Sequence, residues 1–94
     1  MLIGKFVSYK SYPKSSRSYF IYYLNGEKHR EGSGRAPAGF RENIGKFYKM
    51  KYLDKYPDAI HPLYDQEVTD TAEILKAGFS MDEILNKKTN YLFP

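Results

Sequence analysis

The sequence contains no cysteine, so it forms neither a disulfide framework nor a thiolate zinc site. That absence is compatible with a reducing compartment. No apolar run approaches the roughly 20 residues that a membrane-spanning helix needs. The first five residues are too short for a signal peptide. We therefore expect either a cytoplasmic chain that begins at Met1 or an exported chain from which a signal segment has been removed.

Acidic residues are scarce in the first half of the chain. Residues 1–52 carry eleven Lys/Arg and three Glu, whereas residues 53–94 carry four Lys and eight Asp/Glu. The aromatic residues concentrate in the same basic half. A basic, aromatic segment is typical of surfaces that meet nucleic acid, nucleotides or acidic proteins. The same composition also arises when tyrosine and phenylalanine fill the thin core of a small β-domain and lysines keep its surface soluble.

The strongest local signal is a β-hairpin centred on Asn25-Gly26. Residues 18–24 are almost all aromatic or aliphatic, which is typical of a strand. Asn-Gly then favours a type I′ turn, because that turn needs positive φ at both central residues. A two-residue loop predicts that Leu24 pairs with Glu27 and that Tyr22 pairs with His29.

This register divides the hairpin side chains between two faces. One face is predicted to line a core, and it carries Phe20, Tyr22, Leu24 and His29. The other face mixes aromatic rings with cations, and it carries Tyr19, Ile21, Tyr23, Lys28 and Arg30. We expect this second face to meet solvent or a ligand.

Other strands are predicted at residues 2–9, with a bulge at Gly4, and at residues 46–53. The second of these has an inward row and a cationic outward row that holds Lys49 and Lys51. Residues 11–17 and 54–58 are predicted turns. Residues 60–64 are a short edge strand, because Pro62 cannot donate to a central ladder.

The tail changes to a helical pattern. Asp70 is a predicted N-cap, and the helix at 71–77 ends at Gly78. Ser80 and Glu83 form a capping box for a second helix, supported by a hydrophobic staple of Phe79 on Ile84. Residues 86–94 are expected to be an unwinding end. Residues 74–84 resemble the first two helices of a helix-turn-helix, but the remaining residues are too few for a recognition helix.

The glycine-rich loop at 32–41 has two interpretations. Its glycines expose backbone N–H groups, and Arg35 and Arg41 supply bidentate donors for a phosphate or carboxylate. The segment lacks the Gly-x-x-x-x-Gly-Lys-Ser/Thr pattern of a phosphate-binding loop. A solvated connection between strands is the alternative.

Nothing in the sequence indicates catalysis. His29 and His61 are the only histidines, and neither has a carboxylate at metal-ligand spacing on the same element. No serine lies in a Gly-x-Ser-x-Gly elbow. Capping and turns account for the paired carboxylates. We therefore expect a non-enzymatic protein with no cofactor and no metal.

Several turn and core positions resemble a diffuse group of uncharacterised small bacterial β-domains. Those positions are Tyr22-x-Leu24-Asn25-Gly26, Gly32-Ser33, Ile44-Gly45-Lys46-x-Tyr48-x-Met50-x-Tyr52 and Tyr56-Pro57. The group has a Tyr-x-Val-Asn-Gly hairpin followed by an Ile/Val-Gly … Val-x-Tyr strand, and often occurs in exported or membrane-anchored proteins. The chain departs from it at His29, where tyrosine is usual, and at Tyr56, where asparagine is usual. The resemblance implies a small β-domain and assigns no binding residues.

We predict a single α+β, mainly β domain. It contains a small twisted antiparallel sheet or partial barrel (residues 1–66), two short C-terminal helices (67–88) and a tail (89–94). Its expected function is that of a binding module with a basic, tyrosine-rich face for a protein partner or a small anion. The alternative is a module for single-stranded nucleic acid or nucleotides. The predicted ligand-binding residues are Tyr23, Lys28, Arg30, Arg35, Arg41, Lys49 and Lys51.

Overall fold

The computed structural model describes residues 2–34, 36–37, 39–53 and 56–85. Five strands form one antiparallel sheet in the order β3-β2-β1-β4-β5. The strands are β1 (Leu2–Tyr12), β2 (Ser15–Leu24), β3 (Glu27–Ser33), β4 (Phe47–Leu53) and β5 (Tyr56–Val68). Two short helices follow, α1 (Thr71–Lys76) and α2 (Met81–Leu85). This architecture confirms the predicted α+β, mainly β class.

The sheet is strongly curled. Its two edge strands, β3 and β5, approach each other to within 8 Å between Cα atoms without forming a ladder among the described residues. The curl gives the sheet a concave inner face and a convex outer face.

Neither described helix has the length and apolar content that crossing a bilayer requires.

The central hairpin has the predicted register. Leu24 pairs with Glu27, and Tyr22 pairs with His29. Asn25 and Gly26 have φ values of 54° and 79°, which are the positive angles that a type I′ turn requires. The His29 ring stacks on Tyr22 at 5.3 Å between ring centroids. These observations confirm that His29 has a packing role.

The inner face holds the larger aromatic cluster. Phe20 is fully buried, and its ring lies 5.3 Å from Phe6 and 6.5 Å from Tyr48 between centroids. Phe40 reaches the same cluster from a 3-10 helix (Phe40–Asn43) between β3 and β4. The buried members are Phe6, Phe20, Tyr22, Ala36, Phe40, Tyr48, Met50 and Ile60. This cluster supplies the core of the curled sheet.

The outer face has a second core, formed with the helices. Ile74 of α1 and Phe79, from the segment between the helices, pack on the sheet and are almost completely buried. They meet Val7, Ile21, Phe47 and Val68. Ile21 was expected on a face open to solvent or a ligand, but it is 3% exposed. The helices cover that part of the outer face because their own apolar side chains need a partner surface.

The first hairpin is longer than the sequence predicted. β1 continues to Tyr12, and only Pro13 and Lys14 separate it from Ser15, so most of the predicted turn at 11–17 is strand. The bulge lies between Phe6 and Ser8 and not at Gly4. Gly4 has a different structural role, since a Cβ there would come within 2.5 Å of the Met50 Sδ.

The connection at 32–41 is not simply a solvated loop. Ala36 is 8% exposed and Phe40 is 6% exposed, and both belong to the inner cluster. An aromatic residue at the ninth position of a glycine-rich segment gives no periodic signal, so the burial of Phe40 was missed. The hydrophobic gain from placing Phe40 under the sheet fixes this segment against the core.

The last strand was predicted too short. β5 spans thirteen residues, so the predicted turn at 54–58 is reduced, and its residues 54 and 55 lie outside the described ranges. The edge assignment is confirmed, with Pro62 opposite Met50 beside a register irregularity. On β4 the predicted alternation is confirmed: Tyr48 and Met50 are buried, whereas Lys51 is exposed.

Both helix starts agree with the predicted caps. The Asp70 side chain accepts a hydrogen bond from the Ala72 N–H at 2.9 Å, and Gly78 ends α1 with a φ of 113°. The Ser80 N–H donates to Glu83 Oε1 at 2.9 Å, and the Glu83 N–H donates to Ser80 Oγ at 3.2 Å. These reciprocal bonds form the predicted capping box. The predicted unwinding end at 86–94 lies outside the described residues.

Candidate functional site

Of the seven predicted ligand-binding residues, the six that the structure describes do not lie together. Tyr23, Lys28 and Arg30 lie on the hairpin part of the outer face, by their register. Lys49 and Lys51 lie on β4, separated from β3 by two intervening strands. At about 4.8 Å per strand spacing, the two groups are roughly 14 Å apart.

Arg41 lies apart from both groups. Its guanidinium carbon is 5.0 Å from the centroid of the Tyr9 ring, and Tyr9 packs against the inner cluster. Arg35 lies outside the described residues. The expected pairing of these two arginines around one anion therefore stays a prediction.

Tyr23 is engaged in helix packing. Its ring meets Phe79 edge-to-face at 5.1 Å between centroids, and its hydroxyl donates to Glu83 Oε2 at 2.9 Å. A Cβ on Gly78 would lie 2.7 Å from the Tyr23 Cβ, so the chain passes very close above this residue. Tyr23 therefore helps to hold the helices on the sheet.

Lys5 completes that attachment, and sequence reasoning missed it. The side chain is 1% exposed, and its Nζ donates to the Glu83 backbone carbonyl at 2.7 Å. Burial lowers the pKa of Lys5, while the nearby Glu83 opposes the shift and Lys28 adds to it. Glu83 thus meets Lys5 through its main chain and Tyr23 through its carboxylate. A lysine inside an ordinary strand pattern gives no hint of such burial.

The helices leave one end of the outer face uncovered. There, the guanidinium carbon of Arg30 lies 4.5 Å from the centroid of the Tyr19 ring. The ammonium of Lys10 lies 6.0 Å from the same centroid. Arg17 extends toward β3, and its Nη2 lies 3.4 Å from the Gly32 carbonyl oxygen. We call these four side chains, Lys10, Arg17, Tyr19 and Arg30, the Tyr19 cluster.

The positive charges of the Tyr19 cluster have no ionic partner among the described residues. None of its three cations forms an ion pair with a carboxylate in the described part of the chain. Arg30 Nη2 is enclosed and has no hydrogen-bond acceptor there. A buried charged donor without a partner is costly and calls for an ion, a water molecule or a ligand. Among the described residues, Ser18 Oγ and the Tyr64 hydroxyl are also enclosed without a partner, but Arg30 Nη2 is the charged one of the three.

A second basic region lies on β4. Lys49 is half-buried opposite Ile3, and Lys51 is exposed opposite His61 on the edge strand. This arrangement confirms the predicted cationic outer row. Its charges follow the strand direction and, among the described residues, no aromatic ring lies beneath them.

The remaining polar features of the described residues serve packing. Burial and the charge of Glu67 raise the pKa of Tyr48 to about 12, against a hydrogen bond from Asn43 that lowers it. Lys46 and Glu67 form an ion pair at 3.8 Å. An open groove runs between the Asn25-Gly26 turn and the end of α1. No group of three metal-ligating side chains occurs among the described residues.

Of the Tyr19 cluster, sequence reasoning placed Tyr19 and Arg30 on the face expected to meet solvent or a ligand, and named only Arg30 as a ligand-binding residue. Lys10 fell outside the predicted strand, and Arg17 was placed in a turn. The sequence did contain a signal for Arg17. Arg17, Tyr19 and Ile21 occupy alternate positions, so the strand pattern of residues 18–24 can be extended back to place Arg17 on the outer face. Cross-strand pairing of Lys10 with Arg17 followed from the Pro13-Lys14 turn, which was not recognised.

Comparison with known proteins adds no relative to this description. No family model, curated protein or solved structure matches the chain. The resemblance to small bacterial β-domains with a Tyr-x-Val-Asn-Gly hairpin therefore stays a prediction. Any functional argument depends on the arrangement of this chain's own side chains.

Proposed function

We propose that the protein is a non-enzymatic binding module that uses its basic outer face to bind a protein partner or a small anion. One observation carries the proposal: cations from three adjacent strands converge on Tyr19 without a carboxylate among the described residues. Like charges that lie close together repel one another and attract an oppositely charged ligand. The proposed contact region is the Tyr19 cluster, with Lys49 and Lys51 as a second contact.

The state of the aromatic rings favours a protein or small anion over nucleic acid. Base stacking needs an open ring face beside cations. Tyr23 is packed against Phe79, and Tyr19 lies under Arg30. Neither ring offers a free platform, whereas guanidinium groups over an aromatic ring are well placed to meet carboxylate or phosphate oxygens.

Single-stranded nucleic acid remains the second candidate because of Tyr12. This residue is 46% exposed and lies opposite Ser15, two positions beyond Lys10 on the same strand. A base stacked on Tyr12 would bring its phosphates toward Lys10 and Arg17. Such binding is expected to be strongly salt-dependent, because each phosphate contact releases counterions.

Binding titrations at several salt concentrations separate the two candidates. The probes are an oligo-glutamate peptide, inorganic phosphate and a short single-stranded thymidine oligonucleotide. The variants are Arg17→Gln with Arg30→Gln in the Tyr19 cluster, and Lys49→Gln with Lys51→Gln at the second contact. Lys46→Gln with Lys76→Gln is the control that removes the same charge from exposed positions outside both contacts. We expect the peptide or phosphate to bind with a shallow salt response and to lose affinity mainly in the arginine variant.

Two results would contradict this proposal. Tight oligonucleotide binding that weakens steeply with salt and fails in Tyr12→Ala would favour the nucleic-acid candidate. The absence of saturable binding to all three probes would argue against an anion-binding function of any kind.

A further inference from the structure

The side chains of the Tyr19 cluster come together around one ring, whereas the cations of an ordinary basic surface point separately into solvent. Its three cations come from β1, β2 and β3. Lys10 and Arg30 lie over the Tyr19 ring. Arg17 lies beside the ring, since Arg17 and Tyr19 both border the position of a Gly32 Cβ. Resting on the proposed function, we infer that the cluster is a built site for one oxyanion group, either a phosphate or a carboxylate. The oxyanion would lie between the guanidinium groups of Arg17 and Arg30.

Strand register explains how the cations converge. Arg30 pairs with Ile21, Tyr19 pairs with Gly32, and Lys10 pairs with Arg17. Directly paired residues share a face, so these three cross-strand rows follow one another along the uncovered end of the outer face. The cations start in the rows on either side of Tyr19 and bend toward it. Three long side chains that extend freely into water would not be expected to meet at one ring.

Gly32 makes room for this convergence. A Cβ at that position would lie 2.9 Å from Arg17 Nε, Arg17 Nη2 and Tyr19 Cε1. Gly32 lies in β3 and does not have a positive φ, so its backbone conformation does not require glycine. Its absent side chain instead lets Arg17 and Tyr19 lie flat over β3. Substitution by alanine therefore changes the shape of the site without changing its charge.

The donors at this site are unsatisfied. Arg30 Nη2 is enclosed without an acceptor, and the Arg17 contact to the Gly32 carbonyl is long at 3.4 Å. The three positive charges repel one another with no described carboxylate nearby. An entering oxyanion would accept from the guanidinium forks and relieve this repulsion. Phosphate fits best, because its dianion compensates more of the charge than a carboxylate does.

The test is a chemical-shift titration of the whole chain, observing backbone amides and arginine Nε–H groups. The probes are inorganic phosphate and N-acetyl-glutamate, which distinguish a phosphate source from a carboxylate source. We expect saturable shifts centred on Arg17, Tyr19, Gly32 and Arg30 with at least one probe, and tighter binding of phosphate.

Three variants test the geometry. Arg30→Lys keeps the charge but loses the fork, and should weaken binding by about tenfold. Gly32→Ala should weaken binding by moving Arg17, with every charge retained. Lys10→Gln removes one charge of the cluster and should also weaken binding. Lys76→Gln, at an exposed position on α1, is the matched control for that lost charge and should leave the affinity nearly unchanged.

The outcomes separate this inference from the proposed function. Shifts that centre on Lys49 and Lys51, or an affinity that falls equally in Lys10→Gln and in the Lys76→Gln control, would overturn the oxyanion site while keeping an anion-binding module. Unchanged affinity in both Arg30→Lys and Gly32→Ala would also overturn it. If neither probe causes saturable shifts, the inference is overturned. Binding of oligo-glutamate, tested separately, would in that case still support the broader function.

Discussion

The two faces of the sheet are filled in different ways. The inner face is closed by its own strands and by Phe40, and its aromatic rings contact one another directly. The helix pair covers one part of the outer face, and the Tyr19 cluster lies on the part that the helices do not cover. The inner face is thus closed by the strands and the β3–β4 connection. The outer face is covered by the helices at one end and carries exposed cations at the other.

This difference shows how a small domain gains a binding surface without losing its core. Ninety-four residues bury enough apolar area for one main cluster, and here that cluster lies inside the curl. The outer face then needs only the area that α1 and α2 protect. Its remaining end is free to carry charges that contribute little to stability, so changes on the two faces should have separable effects.

The largest expected contrast is between two neighbours on β2. Phe20→Ala removes a fully buried ring from the inner cluster and should lower the free energy of unfolding by about 3–5 kcal/mol. Tyr19→Ala removes a ring from the partly covered outer end and should cost about 1 kcal/mol or less. Urea denaturation of both variants measures this difference. Equal losses would contradict the division between the faces.

Two glycines with positive φ test how tightly the helices sit on the outer face. Gly78→Ala adds backbone strain and a clash with Tyr23, and should cost about 2–4 kcal/mol. Gly26 has open space around it, so Gly26→Ala should cost only the strain of about 1 kcal/mol. Gly26→Val should cost at least as much, because a β-branched side chain tolerates positive φ poorly. Thermal unfolding compares the three variants; a mild Gly78→Ala effect would contradict close packing of the helices.

Alkaline pH tests the burial of Tyr48 on the inner face. Its pKa is raised from 10.0 to about 12, so the unfolded chain loses the proton first. The unfolded state then binds fewer protons, and stability falls as pH rises from 10 to about 12, by roughly 2 kcal/mol at most. Lys5 acts in the opposite direction, since its lowered pKa makes its contribution rise as pH approaches 10.5.

The Tyr48→Phe variant isolates this effect. The difference in unfolding free energy between the parent and the variant cancels Lys5 and the other tyrosines. We expect this difference to change in the phenylalanine variant's favour between pH 10 and 12. A pH-independent difference would show that the Tyr48 hydroxyl ionises in the folded protein as it does in the unfolded chain.

The capping box tests the weaker outer attachment. Ser80→Ala removes the acceptor for the Glu83 N–H and should cost about 0.5–2 kcal/mol. Because Glu83 also holds Lys5 and Tyr23, hydrogen exchange should accelerate across α2 more than in the hairpin. Asp70→Ala at the start of α1 is the control cap, and it should leave exchange near Lys5 unchanged. Faster exchange throughout the sheet in Ser80→Ala would contradict a local attachment.

Local signals predicted the parts of this fold that depend on neighbouring residues. The Asn25-Gly26 turn determines its own register through backbone angles, and the Ser80-Glu83 cap satisfies donors within one turn. The β1–β4 pairing joins residues more than forty positions apart, and no local pattern specifies it. The burial of Lys5 depends on where α2 lands, so it was not predictable for the same reason.

The candidate site was predictable only in its chemistry. The predicted hairpin register is confirmed, and it places Tyr19, Lys28 and Arg30 on one face. Arg30 was among the predicted residues. The convergence on Tyr19 required the full length of β1 and β2, which an unrecognised Pro13-Lys14 turn concealed. Tyr23 was expected to meet solvent or a ligand, but the helices pack against it. Local sequence patterns do not specify where those helices dock on the sheet.

The most direct test is the gain in unfolding free energy when inorganic phosphate is added to the parent chain and to Arg30→Gln. Without phosphate, the two should unfold within about 1 kcal/mol of each other, because Arg30 lies outside both cores. At a hundredfold excess over Kd, the parent should gain about 2.7 kcal/mol and the variant much less. The account would be contradicted if Arg30→Gln were strongly destabilised without phosphate and gained as much from it as the parent.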